Sequence, residues 1–430
     1  MRVLLLGATG LIGSAIAARL HADGIEIVAV VRGSGTAAAR LNADALVRMD
    51  LRDAVRRADW TAALEGVDAV VNAAGVLQDS GRDDVALVQE RAPAALYAAS
   101  EAAGVKRVIH ISAIGAEPGA PTPFSRSKHA IEARLKASAL DWVILRPAVV
   151  VGRAAYGGSA LFRAVAALPF APVQAEAGRI QIVQLDEVAE TVARLIGPEA
   201  PARVTLDLAF PGAMTVEDVV AHYRRWKGWA PARPLRLPGW AIGLAYRLGD
   251  LAGRFGWRSP LRSTARRELA RGAVGEPAEW MRVTGIAPRS LAEALAAEPA
   301  SVQERWFARL YLLKPLILIV FAAFWILTAL ISLGPGRAIG EALLREAGLG
   351  AYSDAAVIAG SLADLAIGVG ILFRRTARPA LLAALALALF YALAGSLLLP
   401  RLWAEPIGPM LKIWPILALN LVALAMLDER

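Results

Sequence analysis

From Pro315 onward the chain carries four long apolar runs, at about residues 315–333, 354–373, 379–399 and 410–427. A helix rises ~1.5 Å per residue, so ~20 residues cross the ~30 Å hydrocarbon layer of a bilayer. Inside that layer every backbone N–H and C=O needs an internal partner, which a helix supplies and an open loop does not. The runs therefore read as four transmembrane helices. A soluble bundle would instead show a polar face on each helix. Hydrophobic residues make up 57% of the 430, above the usual globular share, as membrane spans require.

The formal net charge is +9, which suits either nucleic acid or the basic cytoplasmic loops of a membrane protein. No nucleic-acid motif is present, so the second reading is taken and no nucleic-acid partner is expected. Arg305, Arg309 and Lys314 precede the first run, and Arg374, Arg375 and Arg378 fill the second loop. By the positive-inside rule the N-terminal part, the second loop and the C-terminus are cytoplasmic. Cysteine is absent, which excludes disulfides, thiolate metal sites and cysteine nucleophiles. His21, His110, His129 and His222 show no metal-ligand spacing, so no metal site is expected.

The first 150 residues have a different pattern. "VLLLGA", "IEIVAVVR", "DAVVNAAG", "VKRVIHISAIG" and "DWVILRPAVVVG" are continuous β-branched runs, as strands covered on both faces should be. Helical stretches such as "LIGSAIAARLHADG" lie between them. The alternation implies an α/β, Rossmann-type, doubly wound parallel sheet, with the all-α four-helix transmembrane part after it. The opening "MRVLLLGATGLIG" reads as strand and turn, because its apolar run is too short for a signal peptide. "IQIVQLDEVAETVARLI" reads as another strand leading into a helix. The division expected is 1–230, 231–312 and 313–430. The middle segment is rich in Arg and Trp. Its stretch "PGWAIGLAYRLGDLAGRFGW" reads as a core helix or as one lying on a membrane surface.

"GATGLIG" places glycines at 7, 10 and 13 between the first strand and the first helix. Gly7 permits the tight turn, Gly10 lets backbone approach a pyrophosphate, and Gly13 allows close helix–strand packing. The helix N-terminus adds free N–H groups and a partial positive charge. Gly7, Thr9, Gly10, Leu11, Ile12 and Gly13 are thus the expected dinucleotide seat. The second strand ends at Arg32. An acid there would take the ribose hydroxyls of NAD, whereas an arginine suits a 2′-phosphate, so NADP(H) is expected rather than NAD(H). Asp50 and Leu51, after the third strand, are placed at the adenine. Ala73, Ala74 and Gly75 of "NAAG" let the chain pass close to the cofactor.

In this order, "GATGLIG", "MDL", "NAAG", "ISAIGA", "FSRSK" and "LRP" resemble the short-chain dehydrogenase/reductase superfamily over about residues 1–230. More narrowly they resemble its atypical branch, which includes the NADPH-binding accessory subunit of complex I. "IGPMLKIWPILALNLVALAML" resembles DoxX-like domains. The combined resemblance implies a bacterial protein of the cytoplasmic membrane. It implies that Lys128 grips the nicotinamide ribose and that Ser112 holds a substrate carbonyl. The acid/base tyrosine of the superfamily stands four residues before the lysine, and here that residue is Phe124. Four residues on a helix keep Phe124 and Lys128 on one face, so the geometry survives without the proton donor. Losing a positioned acid costs ~10²–10⁴-fold in rate. Tyr156, in "GRAAYGGS", is the candidate replacement acid, ahead of Ser125 and Ser127; the bland reading is a loop aromatic.

Asp364 falls near the middle of the second apolar run, on one face with Gly360 and Gly368. A polar group there faces the bundle interior. It reads as a quinone or proton site with Lys412 or Asn420, or as an interhelical hydrogen bond. Three functions stay open. The first is a membrane-anchored oxidoreductase acting on a quinone or lipophilic carbonyl. The second is a non-catalytic NADPH-binding sensor or scaffold with respiratory or other membrane protein partners. The third, placed last, is a sugar-nucleotide epimerase or dehydratase, which also depends on the missing tyrosine.

Overall fold

The computed structural model describes residues 1–33, 41–81, 83–173 and 177–427. The chain divides into two compact units, one of residues 1–253 with 258–308 and one of residues 254–257 with 309–430.

The strands of the first unit are β1 (Arg2–Leu6), β2 (Glu26–Val31), β3 (Ala45–Arg48), β4 (Ala69–Asn72), β5 (Arg107–Ile111), β6 (Asp141–Pro147), β7 (Val149–Val151), β8 (Phe170–Val173), β9 (Ile182–Gln184), β10 (Val204–Leu208) and β11 (Arg233–Arg236). Its helices are α1 (Leu11–Ala22), α2 (Ala92–Ala103), α3 (Pro123–Lys136), α4 (Gly158–Val165), α5 (Leu185–Leu195), α6 (Val216–Trp226), α7 (Gly239–Arg254), α8 (Ser263–Arg271), α9 (Ala278–Thr284) and α10 (Leu291–Ala297). Seven strands form one sheet in the order β10-β6-β5-β4-β1-β2-β3, and every pair in it is parallel. The order reverses between β1 and β4, so the crevice above their carboxyl ends is the ligand position of a doubly wound sheet.

The apolar strand runs are explained by burial on both faces. Leu4, Leu6, Val28, Val30, Val70 and Val108 feed one core with Leu96 and Tyr97 of α2. Their neighbours Val3, Leu5, Ile27, Ala29, Val71 and Ile109 feed the other with Ile16 of α1 and Val188 and Val192 of α5. "IQIVQLDEVAETVARLI" folds as β9 running into α5, but β9 pairs with β7 outside the main sheet.

The segment 231–312, set apart on composition, contributes to the first unit's cores. Trp280 of α9 is fully buried in the second core, beside Ile286. Its indole N–H donates to Thr191 Oγ1 at 2.9 Å. Leu291 of α10 packs with Val219, Val220 and Tyr223 of α6.

The second unit holds α11 (Val302–Leu333, in this unit from Arg309), α12 (Arg337–Glu346), α13 (Ser353–Leu372), α14 (Ala377–Leu398) and α15 (Ile413–Ala425). Among the described residues three helices, Val302–Leu333, Gly350–Leu372 and Ala377–Leu398, are long and apolar enough to cross a membrane. Large apolar side chains such as Ile319, Leu327, Leu362, Phe390 and Leu397 are exposed on them, as lipid-facing surfaces require. The fourth apolar run forms a helix of 13 residues, ~20 Å long at ~1.5 Å per residue and short of the full layer. Pro406, Gly408 and Pro409 hold the preceding chain in turns, and Gly408 has φ +60°, so the helix begins only at Ile413. The connection between α11 and α13 contains the amphipathic α12.

Asp364 is buried and accepts a hydrogen bond from the Tyr391 hydroxyl of α14 at 3.4 Å. This is the interhelical bond that one of the two sequence readings expects. A Cβ on Gly368 would meet Ala322 O and Ile326 N of α11 at 2.9 Å, so this glycine lets α11 and α13 touch. Asn420 is buried in the same unit, and Lys412 is exposed where α15 starts.

Candidate functional site

The first turn of the chain builds a tight backbone cradle. Gly7 sits at φ +71°. A Cβ on it would come within 2.6 Å of Ala73 C and O and 2.7 Å of Ala74 N. Gly7 O accepts from Gly10 N at 2.7 Å, and a Cβ on Gly13 would lie 2.1 Å from that same oxygen. The β1–α1 turn, the start of α1 and the chain leaving β4 therefore meet backbone to backbone. Gly10 caps α1 without a side-chain hydrogen bond to the helix's first N–H groups, which a helix leaves without internal partners. Thr9, Leu11 and Ile12 line the same turn. Turn, small residues and open helix end fit the pyrophosphate of a dinucleotide.

Asn72 explains how the "NAAG" turn is held. Its buried Oδ1 accepts from Ala74 N at 3.1 Å, and its Nδ2 donates to the Tyr97 hydroxyl at 3.1 Å. That hydroxyl lies 2.9 Å from His110 Nδ1. Burial, helped by the nearby Lys128 charge, holds His110 well below the usual histidine range, so the imidazole is neutral in this network.

At the adenosine end, Arg32 closes β2 and its Nη1 pairs with Asp83 Oδ1 at 2.8 Å. Asp50 accepts from Arg52 Nη2 at 2.7 Å and from Arg52 N at 3.0 Å. The Arg52 side chain, more than any other cause, holds the Asp50 carboxyl below the usual range. Leu51 is buried in the first core, leaving its backbone as the part available to a ligand. The two arginines and two aspartates form a partly exposed polar cluster at the ends of β2 and β3.

At the other end, Lys128 of α3 is buried and its Nζ donates to Ile111 O at 2.7 Å. A Cβ on Gly75 would lie 3.7 Å from that Nζ, so Lys128 and the "NAAG" turn converge. Burial lowers the ammonium pKa to about 8, against an opposing pull from Glu132. Phe124 lies one turn before it on α3 and is half-buried. Ser112 is buried, and its hydroxyl donates to Glu132 Oε1 at 2.5 Å. Glu132 in turn accepts from Arg146 Nε at 2.9 Å. The Ser112 hydroxyl proton is thus committed to a carboxylate. Tyr156 stands before α4, and its hydroxyl lies 3.5 Å from Arg258 Nη1.

Several neighbours escaped the sequence reading. Gln89, in a π-helical turn at Leu87–Arg91, donates to Ser127 Oγ at 3.1 Å. Its buried Oε1 has no hydrogen-bond partner among the described residues and lies 3.3 Å from where a Gly75 Cβ would sit. Such turns cluster at functional sites. Glu268 of α8 accepts from the hydroxyls of Thr122 and of Ser125, the latter at 2.9 Å. Arg271 binds Glu268 at 2.5 Å and also donates to Gly115 O. These residues cover the start of α3 and the loop after β5, and no local motif announces them. Among the described residues no His, Asp and Glu side chains gather in a group able to hold a metal ion.

Residues 7–165 match the NAD(P)H-binding family model, and residues 322–421 match that of the DoxX-like family. No curated protein matches the chain. Among solved structures, it is similar to MoeE5 in complex with UDP-glucose and NAD, at 19% identity over 73% of this chain and 100% of that one, TM-score 0.52. It is similar to a UDP-glucose 4-epimerase from Thermotoga maritima, at 18% identity over 69% and 96%, TM-score 0.52. It is also similar to the NADPH-dependent quinone oxidoreductase QOR2 from Escherichia coli, at 21% identity over 69% and 99%, TM-score 0.52. At these identities the likeness is one of fold. The chain thus joins an N-terminal Rossmann-type region that matches the NAD(P)H-binding family model to a C-terminal region that matches the DoxX-like model and carries apolar helices of membrane-spanning length.

Proposed function

We propose that the protein is a membrane-anchored NADP(H)-binding oxidoreductase whose acceptor is a quinone or another lipophilic carbonyl. The observation that carries the reading is the retained cradle with buried Lys128 beside Gly75, in a chain that also carries apolar helices of membrane-spanning length. One structure of similar fold is described as an NADPH-dependent quinone oxidoreductase. When bound, the nicotinamide cofactor supplies hydride. The turn of Gly7, Thr9, Gly10, Leu11, Ile12 and Gly13 would hold its pyrophosphate, Asp50 and Leu51 its adenine, and Ala73, Ala74 and Gly75 its inner edge. Lys128 would hold the nicotinamide ribose. Arg32 would take a 2′-phosphate, sharing its charge between that group and Asp83, and this favours NADP(H) over NAD(H).

Conversion of a quinone to its quinol needs one hydride and one proton. Phe124 supplies no proton. Lys128 Nζ, whose pKa burial lowers to about 8, is one proton source; Tyr156 and water are the others. Ser112 donates to Glu132 Oε1, so to hold the acceptor's carbonyl oxygen, which only accepts, its hydroxyl would have to turn from Glu132 and donate to that oxygen. The membrane part would cross a bacterial cytoplasmic membrane four times, α15 as a short span. The basic residues Arg374, Arg375 and Arg378 support a cytoplasmic second loop, with the Rossmann domain and C-terminus on the same side.

A second reading is a non-catalytic NADPH-binding sensor or assembly subunit of a membrane complex. The closure of Glu268 onto Thr122 and Ser125, where a substrate would approach α3, favours it. One experiment separates the two. NADPH and NADH are titrated by fluorescence into detergent-purified protein, and a short-chain quinone is then added. Binding followed by quinone-dependent oxidation, accelerated in Phe124→Tyr, supports the enzyme. Binding with no oxidation supports the sensor, and no binding of either nucleotide sinks both.

A further inference from the structure

The α7 helix is two-sided in a way its own unit does not use. At ~100° per residue, Trp240, Leu244, Leu248 and Leu251 fall within about 80° of arc. All are exposed, Trp240 at 74% and Leu248 at 56%. Tyr246, Gly249 and Gly253 are buried on the opposite side. That inner side is firmly docked. A Cβ on Gly249 would meet Leu261 O at 1.6 Å. Asp250 accepts from Gln78 Nε2 and from Arg262 Nε, each at 3.0 Å. The apolar outer stripe is therefore held in place and is not waiting to fold inward. Arg247 and Arg254 border it and are exposed.

Residues 255–257, which follow α7, belong to the second unit. Phe255 stacks edge-on against Phe373 with centroids 5.1 Å apart, and Phe255 O accepts from Arg374 N at 3.0 Å. The Trp257 indole donates to Leu372 O at 2.7 Å, and the Arg374 guanidinium lies over its ring. Directly after α7 the chain is thus fastened to the end of α13, an apolar helix of spanning length closed by Arg374 and Arg375. A spanning helix that ends in aromatics and arginines ends at the lipid–water boundary. The α7 helix precedes this anchored segment directly in the chain and, apolar on one side and edged by arginine, matches the headgroup layer in chemistry.

We propose that α7 lies in the surface of the lipid bilayer, with Trp240, Leu244, Leu248 and Leu251 in the acyl boundary and Arg247 and Arg254 at anionic headgroups. The inference is independent of whether the nucleotide site turns over. The chain has no cysteine, so single labelling sites need no background removal. Full-length Leu244→Cys and Leu248→Cys are spin-labelled and reconstituted into vesicles of equal parts phosphatidylcholine and phosphatidylglycerol. Leu327→Cys in α11 serves as the lipid reference. Collision of each label with oxygen and with a water-soluble nickel chelate is measured. The result expected is oxygen collision exceeding nickel collision several-fold at both α7 sites, approaching the α11 reference. Nickel collision dominating at both sites would overturn the proposal. So would dipolar broadening between labels with low access to both reagents, which would show a second copy of the chain covering the stripe. Retained nucleotide binding or helix content by circular dichroism verifies that each labelled chain is folded.

Discussion

Substituting Gly13→Ala tests the cradle at its tightest point. The added Cβ would sit 2.1 Å from Gly7 O, 2.7 Å from Gly7 C and 3.0 Å from Ala8 Cα. Ordinary contact begins near 3.4 Å, so α1 must withdraw from the β1 turn by about 1.3 Å. The atoms it meets are backbone, so no side chain can swing aside. Overpacking of this size costs ~1–3 kcal/mol of stability. The displacement also moves the N-terminus of α1, the seat assigned to the pyrophosphate. Binding should weaken at least ~10-fold, or ~1.4 kcal/mol. Gly119→Ala is the control, because a Cβ there meets nothing within 4 Å and its φ is ordinary. NADPH fluorescence titration in detergent gives the affinity, and thermal unfolding by circular dichroism gives the stability. Wild-type NADPH affinity in Gly13→Ala would refute the assignment of this turn as the nucleotide seat, even if stability falls as expected.

Three further outcomes are expected. Lys128 has a pKa near 8 when folded against 10.5 ordinarily; a depressed lysine burdens the fold below pH 8, and that burden lifts as pH rises towards 10.5. Nucleotide affinity, which uses the ammonium, should fall about ten-fold per pH unit above 8, and Lys128→Met should flatten that profile in the same titration. Arg32→Ala should weaken NADPH by roughly 10–100-fold, the size of one lost charge-assisted hydrogen-bonded contact, and leave NADH nearly unchanged; equal losses for both nucleotides would remove the 2′-phosphate assignment. Trp280→Ala should destabilise the first unit by ~3–5 kcal/mol, and Trp280→Phe by less, since it forfeits mainly the bond to Thr191; unfolding followed by tryptophan fluorescence reports both.

Much of this architecture is written in local pattern. Continuous apolar runs mark β1, β2, β4, β5 and β6 because strands of a doubly covered sheet have no wet face. The glycines at 7, 10 and 13 are legible because each answers a steric demand within a dozen residues of chain. Lys128 follows from its place one turn after Phe124, and the missing phenol is visible without coordinates. Long apolar runs mark the membrane helices by length alone. The same reasoning overextended the last run, where apolar composition hid the effect of Pro406, Gly408 and Pro409 on where the helix can start.

What the chain could not state locally is which distant side chains meet. Arg32 pairs with Asp83 across the crevice, and Thr122 meets a glutamate 146 residues later in the chain. Ser112 is turned to Glu132 and Arg146, and the residues of α9 and α10 fill cores built mainly by earlier strands. The outward stripe of α7 is the sharpest case. Its sequence fits a buried helix as well as an interfacial one, and only the packing of Gly249 and Asp250 decides which side faces in. Periodicity, turn sterics and length act over a few residues and survive in the sequence by itself. Partnership is settled by the close packing of segments far apart in the chain, so only the tertiary structure decides it.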